Sequence, residues 1–237
     1  LRRGFYRMEN QIKISDYIKI GSLPTGKLNK ITDVKGVRVG HSTIKNAENY
    51  TGVTVILPSE NNIYTNKLEA AAYVLNGFGK STGLVQIEEL GLLEAPIALT
   101  NTLNVGKVLD GMLDYVIDNL ASDDVFCSIN TPVLECNDSL INNNRKRAVE
   151  TKHVYEAIEN ACENFEEGDV GAGTGTKCHG FKGGIGSASR IVELDGKEYF
   201  ITTKHSFEHV IVKVDSEIEE DTQWENYSIT VQDLSDN

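Results

Sequence analysis

Glu135 lies within Pro132–Asp138, PVLECND, where an apolar run turns polar. A carboxylate at such a boundary can bind a substrate ammonium group or act as a general base, and a solvated loop glutamate is the plain alternative. Gly79–Gly83, GKSTG, fits G-x-S-x-G, the pattern of a nucleophile elbow. An elbow hydrolase also needs an acid and then a histidine further along, and none of the five histidines stands near a triad-like partner. The same residues carry the tail of a P-loop, but Val74 occupies the place of its first glycine, so nucleotide binding is not expected. The G-x-G-x-x-G fingerprint fails around Gly171–Gly175, where the third glycine falls on Thr176 or Cys178. His205 and His209 are four residues apart, a spacing that joins two metal ligands on a helix. Their surroundings read as strand and turn, with Glu208 between them, so ordinary surface histidines are the favoured reading and no metal is expected.

Residues 168–190 hold eight of the chain's 21 glycines within 23 residues. Glycine loses the most conformational freedom on folding, so such density needs a reason. Either backbone amides come close to a ligand, or main chain passes tightly against main chain. The glycines alternate with Val170, Ala172, Phe181, Ile185 and Ala188, which argues against a flexible linker. A built loop beside a site is the expectation.

These residues need elements to position them. Leu28–His41 and Thr51–Pro58 read as strands, and Pro96–Thr100 as a buried strand. Leu84–Leu93 offers a short helix. Asn104–Leu120 repeats apolar side chains every three or four residues, the stripe of an amphipathic helix, with Asn104 as its N-cap. Thr151–Phe165 reads as a second such helix. Strands follow at Arg190–Leu194, Glu198–Thr203 and Val210–Val214, with Asp195-Gly196 as a hairpin turn. From Val214 to Asn237 there are eight acidic residues and no lysine or arginine. Residues 215–237 are therefore expected to be a flexible, solvated segment, although Tyr227–Val231 is strand-like.

With 237 residues the chain can form one domain with a real core. A net charge of −12 argues against nucleic acid or an anionic membrane as partner. No stretch approaches the roughly 18–20 apolar residues that span a bilayer. The basic start, LRRGFYRMENQ, lacks the apolar core of a secretory signal. Cys127, Cys136, Cys162 and Cys178 form no CxxC pair, so thiols in a reducing cytoplasm are expected and no cofactor is implied.

Six separated blocks then occur in one order. They are Ile31–His41 (ITDVKGVRVGH), Thr51–Thr54 (TGVT), residues 76–84 (NGFGKSTGL), Pro96–Thr102 (PIALTNT), Glu135–Asp138 (ECND), and Gly171–Gly175 with Gly180–Gly186. Together they resemble the self-processing aminopeptidases of the DmpA/BapA type, which include L-aminopeptidase/D-esterases and β-peptidyl aminopeptidases. The resemblance runs from about Gly26 to Arg190. It implies an α/β fold, a layered αββα-type sandwich like that of the N-terminal-nucleophile hydrolases. It also implies a precursor that cuts itself after Asn237, so that this chain is the larger α subunit. A serine following Asn237 would then head a smaller β subunit, with its own α-amino group as base. Such an amine has a pKa of about 7.7–8.0 and exists only once the peptide bond is broken.

Carried over motif by motif, Glu135 would hold the free amino group of a short peptide, amide or ester. Asn137, Asn101, Asn104, Gly183 and Gly184 would line the substrate pocket, and the glycine region or the Asn101–Asn104 loop would offer amides to the oxyanion. Several α/β pairs would assemble into a homo-oligomer. One departure stands out. Where relatives carry a Gln-x-Asn-x-Gly-like segment with an oxyanion-stabilising asparagine, this chain reads Lys204–His209, KHSFEH. Hydrolysis, acyl transfer through the same acyl-enzyme, and a weakly active or non-catalytic amine-binding homologue all remain open at this point.

Overall fold

The computed structural model describes residues 21–74, 77–121, 128–178, 180–194, 196–206 and 209–215. In chain order these form β1 (Arg38–Lys45), β2 (Tyr50–Leu57), β3 (Leu68–Glu69), helix α1 (Leu84–Leu90), β4 (Leu92–Leu93), β5 (Ile97–Thr100) and helix α2 (Val105–Asn119). There follow β6 (Val133–Glu135), α3 (Lys152–Glu159), β7 (Lys177–Cys178), β8 (Phe181–Lys182), β9 (Gly186–Leu194), β10 (Lys197–Ser206) and β11 (His209–Asp215). The central sheet has the order β1-β2-β5-β6, antiparallel except for the last pair, which is parallel. A second sheet has the order β11-β10-β9, antiparallel throughout.

Strand alternation separates the two faces of the central sheet. Val53, Val55 and Leu57 of β2 join Ala98 and Val133 in a cluster with Val105, Val108 and Met112 of α2 and Val154 and Ala157 of α3. Ile56 faces the other way, with Val39, Leu99 and Leu134, against Ala172 and Ile185 of the glycine-rich segment. Phe200 of β10 packs on this second cluster and brings the second sheet to that side. The result is a helical layer, a sheet and a second sheet. Each fully buried aliphatic side chain in these clusters is worth about 1.5–3 kcal/mol.

The Leu84–Leu93 helix of the sequence reading ends at Leu90, with Leu92–Leu93 in β4, and three further differences have a visible local basis. Leu28–His41 does not run as one strand, because the Asp33 carboxylate accepts the N–H groups of Leu28 at 2.8 Å and Lys30 at 3.1 Å. These bonds fold the chain into a 3-10 turn at Ile31–Asp33, and the strand starts only at Arg38. The second long helix stops at Glu159 rather than Phe165. Past that point Cys162 exchanges both main-chain hydrogen bonds with Val39 of β1, each 3.1 Å, which draws the chain out of helical geometry. Asn104 sits at the N-cap position of α2, yet its side chain makes no capping bond. Residues 215–237 fall almost wholly outside the described residues, as do Tyr227–Val231 and Asn237.

The glycine-rich segment packs main chain on main chain. Gly171–Gly173 forms a 3-10 turn across β1 and β2. Gly171 has φ +50°, and a Cβ on it would lie 2.3 Å from the Thr54 hydroxyl. On Gly175 a Cβ would lie 2.1 Å from the Tyr50 carbonyl oxygen and 2.8 Å from Asp138 Cβ. The Gly171 N–H donates to Thr43 Oγ1 at 2.8 Å and the Ala172 N–H to Thr54 Oγ1 at 3.1 Å. Strand hydroxyls, and not a ligand, take these two amides. Gly175→Ala in the full-length protein is expected to cost about 1–3 kcal/mol in denaturant unfolding, the usual penalty of overpacking. Gly106→Ala, where nothing lies within 4 Å of the added methyl, is expected to be neutral or stabilising.

Candidate active site

The parallel strands β5 and β6 end side by side, with Thr100 paired to Glu135. Chain leaving β5 turns through Asn101–Asn104 into α2, while the GKSTG loop crosses β6 and exchanges main-chain bonds between Thr82 and Val133 at 3.0 and 3.3 Å. Glu135 is enclosed between these two loops, with only 1% of its surface exposed. One carboxylate oxygen accepts the Lys80 N–H, and the other accepts the Thr102 hydroxyl at 2.6 Å. The Glu135 N–H in turn donates to Ser81 Oγ at 3.0 Å. A buried carboxylate needs donors, and here two loops supply them. An ionised carboxylate has about four lone-pair sites, so the two bonds orient the group without saturating it. What remains suits a cationic donor.

Ser81 therefore braces the backbone of Glu135. Among the described histidine side chains neither serves the elbow reading of GKSTG: His41 is engaged by Thr54 Oγ1 and the Glu166 carbonyl, each at 2.9 Å, and His153 accepts the Glu150 N–H at 2.9 Å. His205 and His209 lie on opposite strands of the β10–β11 hairpin, so the helical spacing that would join two metal ligands does not apply. Among the described residues no group of three or more His, Cys, Asp and Glu could hold a metal ion. No helix among them is long and apolar enough to cross a membrane.

The other sequence-predicted site residues fall in three places. Asn101 and Asn104 are buried beside the Glu135 clasp and bonded to each other, Asn104 Nδ2 donating to Asn101 Oδ1 at 2.6 Å. Asn101 Nδ2 donates onward to Thr51 Oγ1 at 2.7 Å. Asn137 is exposed and caps its own turn, its Oδ1 accepting the Ser139 N–H at 3.0 Å and the Ser139 hydroxyl at 2.8 Å. Gly183 and Gly184 lie on the approach to β9. The Gly183 N–H is taken by the Thr176 carbonyl at 2.9 Å, and Gly184 rests on Gly168, whose carbonyl oxygen would be 2.5 Å from an added Cβ. The Gly184 N–H has no hydrogen bond among the described residues. Phe207 and Glu208, at the centre of the departing Lys204–His209 segment, lie outside the described residues.

Thr102, Ser81 and the Lys80 amide are the site groups that sequence reasoning missed. Their signal was faint: a threonine just past a buried strand, and a serine in a motif with a more conspicuous false meaning. Asp138 was passed over as well. It is 1% exposed, and among the described residues no donor meets full hydrogen-bond geometry to either carboxylate oxygen. Burial pushes its carboxyl above the ordinary carboxylate range, against the smaller opposing influence of Thr51, Asn142 and Asn101.

This layered α/β fold is shared with a defined class of hydrolases. The Ochrobactrum anthropi L-aminopeptidase D-Ala-esterase/amidase, described as a prototype for the serine aminopeptidases and a new variant of the Ntn hydrolase fold, superposes with a TM-score of 0.72 at 32% identity, over 80% of this chain and 56% of that one. A Burkholderia beta-aminopeptidase gives 0.74 at 39% identity, over 81% and 56%. The PH0078 protein from Pyrococcus horikoshii OT3 gives 0.76 at 51% identity, over 80% and 57%. Residues 29–204 match Peptidase family S58, and the chain belongs to that family. It is 37% identical over 187 residues to the beta-peptidyl aminopeptidase BapA of Sphingosinicella microcystinivorans, across 74% of this chain and 46% of the relative. The chain thus spans about half the length of the curated relatives it matches.

Titration of Asp138 gives a direct stability test. Its folded pKa is raised, so the folded state holds a proton that the unfolded chain releases near 3.8, and its contribution to stability falls as pH rises past that value. In the full-length protein, Asp138→Asn is expected to gain stability relative to native as pH rises through this interval, and then to level off. Equilibrium unfolding at a series of pH values checks this; a difference independent of pH contradicts it.

Proposed function

We propose that the full-length protein is an aminopeptidase of the amide-hydrolase type, which releases N-terminal residues from short peptides, amides or esters. The observation that carries this reading is the Glu135 clasp: a buried carboxylate, fixed by Lys80 N–H and the Thr102 hydroxyl, with acceptor capacity to spare. A site of that kind binds an ammonium group strongly and places the adjacent carbonyl at a set distance from it. This restricts cleavage to the first residue of a chain. Membership of Peptidase family S58 and the aminopeptidase names of its relatives support the same reading.

The nucleophile in this proposal is a serine beyond Asn237, freed by cleavage of the precursor backbone. Its hydroxyl attacks the scissile carbonyl while its own α-amino group takes the hydroxyl proton. In this reading the Gly184 N–H, which has no hydrogen bond among the described residues, donates to the resulting oxyanion, a contribution worth about 3–4 kcal/mol per donor. Collapse of the tetrahedral intermediate expels the leaving amine, which receives the proton from the α-ammonium group. Water then attacks the acyl-enzyme by the same steps, and the acyl group leaves with its own ammonium still against Glu135. Asn101, Asn104, Asn137 and Gly183 line the substrate pocket in this reading. The partner is a smaller β subunit from the same precursor, in a homo-oligomer of α/β pairs, and the reducing cytoplasm is the setting.

Mass spectrometry of the full-length gene product, followed by assay with alanine p-nitroanilide and a β-alanyl amide, tests the proposal. Two fragments, the second beginning with serine, together with release of p-nitroaniline or of the β-alanyl group's amine, are the expected outcome. A single intact chain without turnover contradicts it and favours an amine-binding homologue. In the processed enzyme Glu135→Ala is expected to raise KM by at least tenfold, since charged hydrogen bonds contribute about 1.5–3 kcal/mol. An unchanged KM removes the ammonium role.

A further inference from the structure

The peptide between Gly183 and Gly184 has a fixed neighbour on each side. The Gly183 N–H donates to the Thr176 carbonyl at 2.9 Å, and Ile185 exchanges both main-chain bonds with Gly168, at 2.7 and 2.8 Å. Between these anchors the Gly184 N–H has no hydrogen bond among the described residues. Fixing the two ends does not fix the plane between them. A peptide can rotate about the backbone bonds that flank it, and two glycines, having no Cβ, put little in its way. A bulkier residue at 184 is ruled out, because a Cβ there would lie 2.5 Å from the Gly168 carbonyl oxygen. Another group must choose which way the N–H points.

Lys182 is that group. Its Nζ donates to the Gly183 carbonyl at 2.6 Å and to the Gly173 carbonyl at 3.1 Å, and pairs with Asp169 Oδ1 at 3.1 Å. An ammonium has three donors, and these three acceptors engage all of them. The far ends of the contacts are tied to the central sheet. Lys45 of β1 holds the other Asp169 oxygen, and Gly173 ends the 3-10 turn whose amides Thr43 and Thr54 bind. The peptide is trans, so its C=O and N–H point in opposite directions. With the carbonyl held toward Lys182, the Gly184 N–H is turned away from it. A carbonyl that accepts a charged hydrogen bond also polarises its own peptide, which strengthens the N–H as a donor.

We propose that Lys182 is a positioning residue for the oxyanion donor: by holding the Gly183 carbonyl, it fixes and polarises the Gly184 N–H before the reaction begins. Lys182 acts through that peptide and not on the substrate. The proposal rests on the reading of the Gly184 N–H as an oxyanion donor.

The test uses processed full-length enzyme. With alanine p-nitroanilide, Lys182→Met is expected to lower kcat about three- to thirtyfold, short of the roughly 10²–10³ lost with a donor itself, and to leave KM within about twofold of native. Lys182→Arg, which keeps charge and donors, is expected to recover most of kcat. Inhibition by 1-aminoethylboronic acid, whose boron takes the serine oxygen into a tetrahedral anion, is expected to weaken in Lys182→Met by the factor lost from kcat. A merely structural role would lower unfolding stability without moving boronate affinity relative to KM. A native kcat for Lys182→Met, or a loss carried by KM instead, overturns the positioning role. Gly183-Gly184 is the one Gly-Gly pair in these 237 residues, so glycine labelled with 13C at the carbonyl and with 15N marks its peptide by NMR. Its signal is the one absent from Gly183→Ala. In native enzyme the Gly184 N–H signal is expected to move downfield when the boronate binds, and no movement overturns the oxyanion reading itself. Movement in native enzyme, with the free Lys182→Met enzyme showing the native signal position, overturns the role of Lys182 alone. Should Lys182→Met fail to fold, Lys182→Gln is read in the same way.

Discussion

Burial of one carboxylate organises this end of the molecule. Glu135 cannot sit enclosed at the end of a parallel strand pair unless donors meet it, and those donors come from chain segments far apart in sequence. Lys80 and Ser81 arrive on the loop before α1, and Thr102 on the turn before α2. Each loop is thereby tied to the Glu135 side chain, in addition to the main-chain bonds that join Thr82 to Val133 of β6. Electrostatic preorganisation of this kind is valuable because the donors are already in place before a cation arrives, so little reorganisation is needed on binding. The acidic side chain shapes the loops, and the loops shape what the acid can hold.

Close main-chain packing supplies the rigidity behind that arrangement. The glycine-rich segment lies across β1 and β2 so tightly that methyl groups on Gly171 or Gly175 would collide with Thr54, Tyr50 and Asp138. Its first amides are bound by Thr43 and Thr54, which fixes its register on the sheet. Further along, the segment reaches Gly184, whose amide has no hydrogen bond among the described residues. A single stretch of chain thus packs against Tyr50 and Asp138 at Gly175 and, nine residues later, carries an amide with no partner among the described residues. Small-residue density here reflects contact between backbones first and chemistry second.

Much of this was legible in the residues, for reasons that differ by element. The stripe from Val105 to Leu120 marked α2 because its face is buried against a sheet along its length, so period and packing agree. Thr51–Pro58 marked β2 by its alternation and its stop at Pro58, although the strand is buried on both faces. Thr151–Phe165 misled because the apolar positions after Glu159 serve a strand-like bridge to β1, and a period cannot reveal where a partner strand waits. Leu28–His41 misled because Asp33 captures two amides and turns the chain, a local competition that alternation does not register. Glu135 was recognisable from the shift of polarity around it and from the family resemblance. The Thr102 contact was not, since it depends on which loops meet at the end of β6, and that is a property of tertiary structure alone.

Discrimination by the processed enzyme between alanine p-nitroanilide and its N-acetyl counterpart measures the proposed ammonium recognition most directly. The account predicts that native enzyme strongly prefers the free amine in kcat/KM and that Glu135→Gln loses most of this preference while still turning over ester or amide. A Glu135→Gln enzyme that distinguishes the two substrates as sharply as native would contradict it.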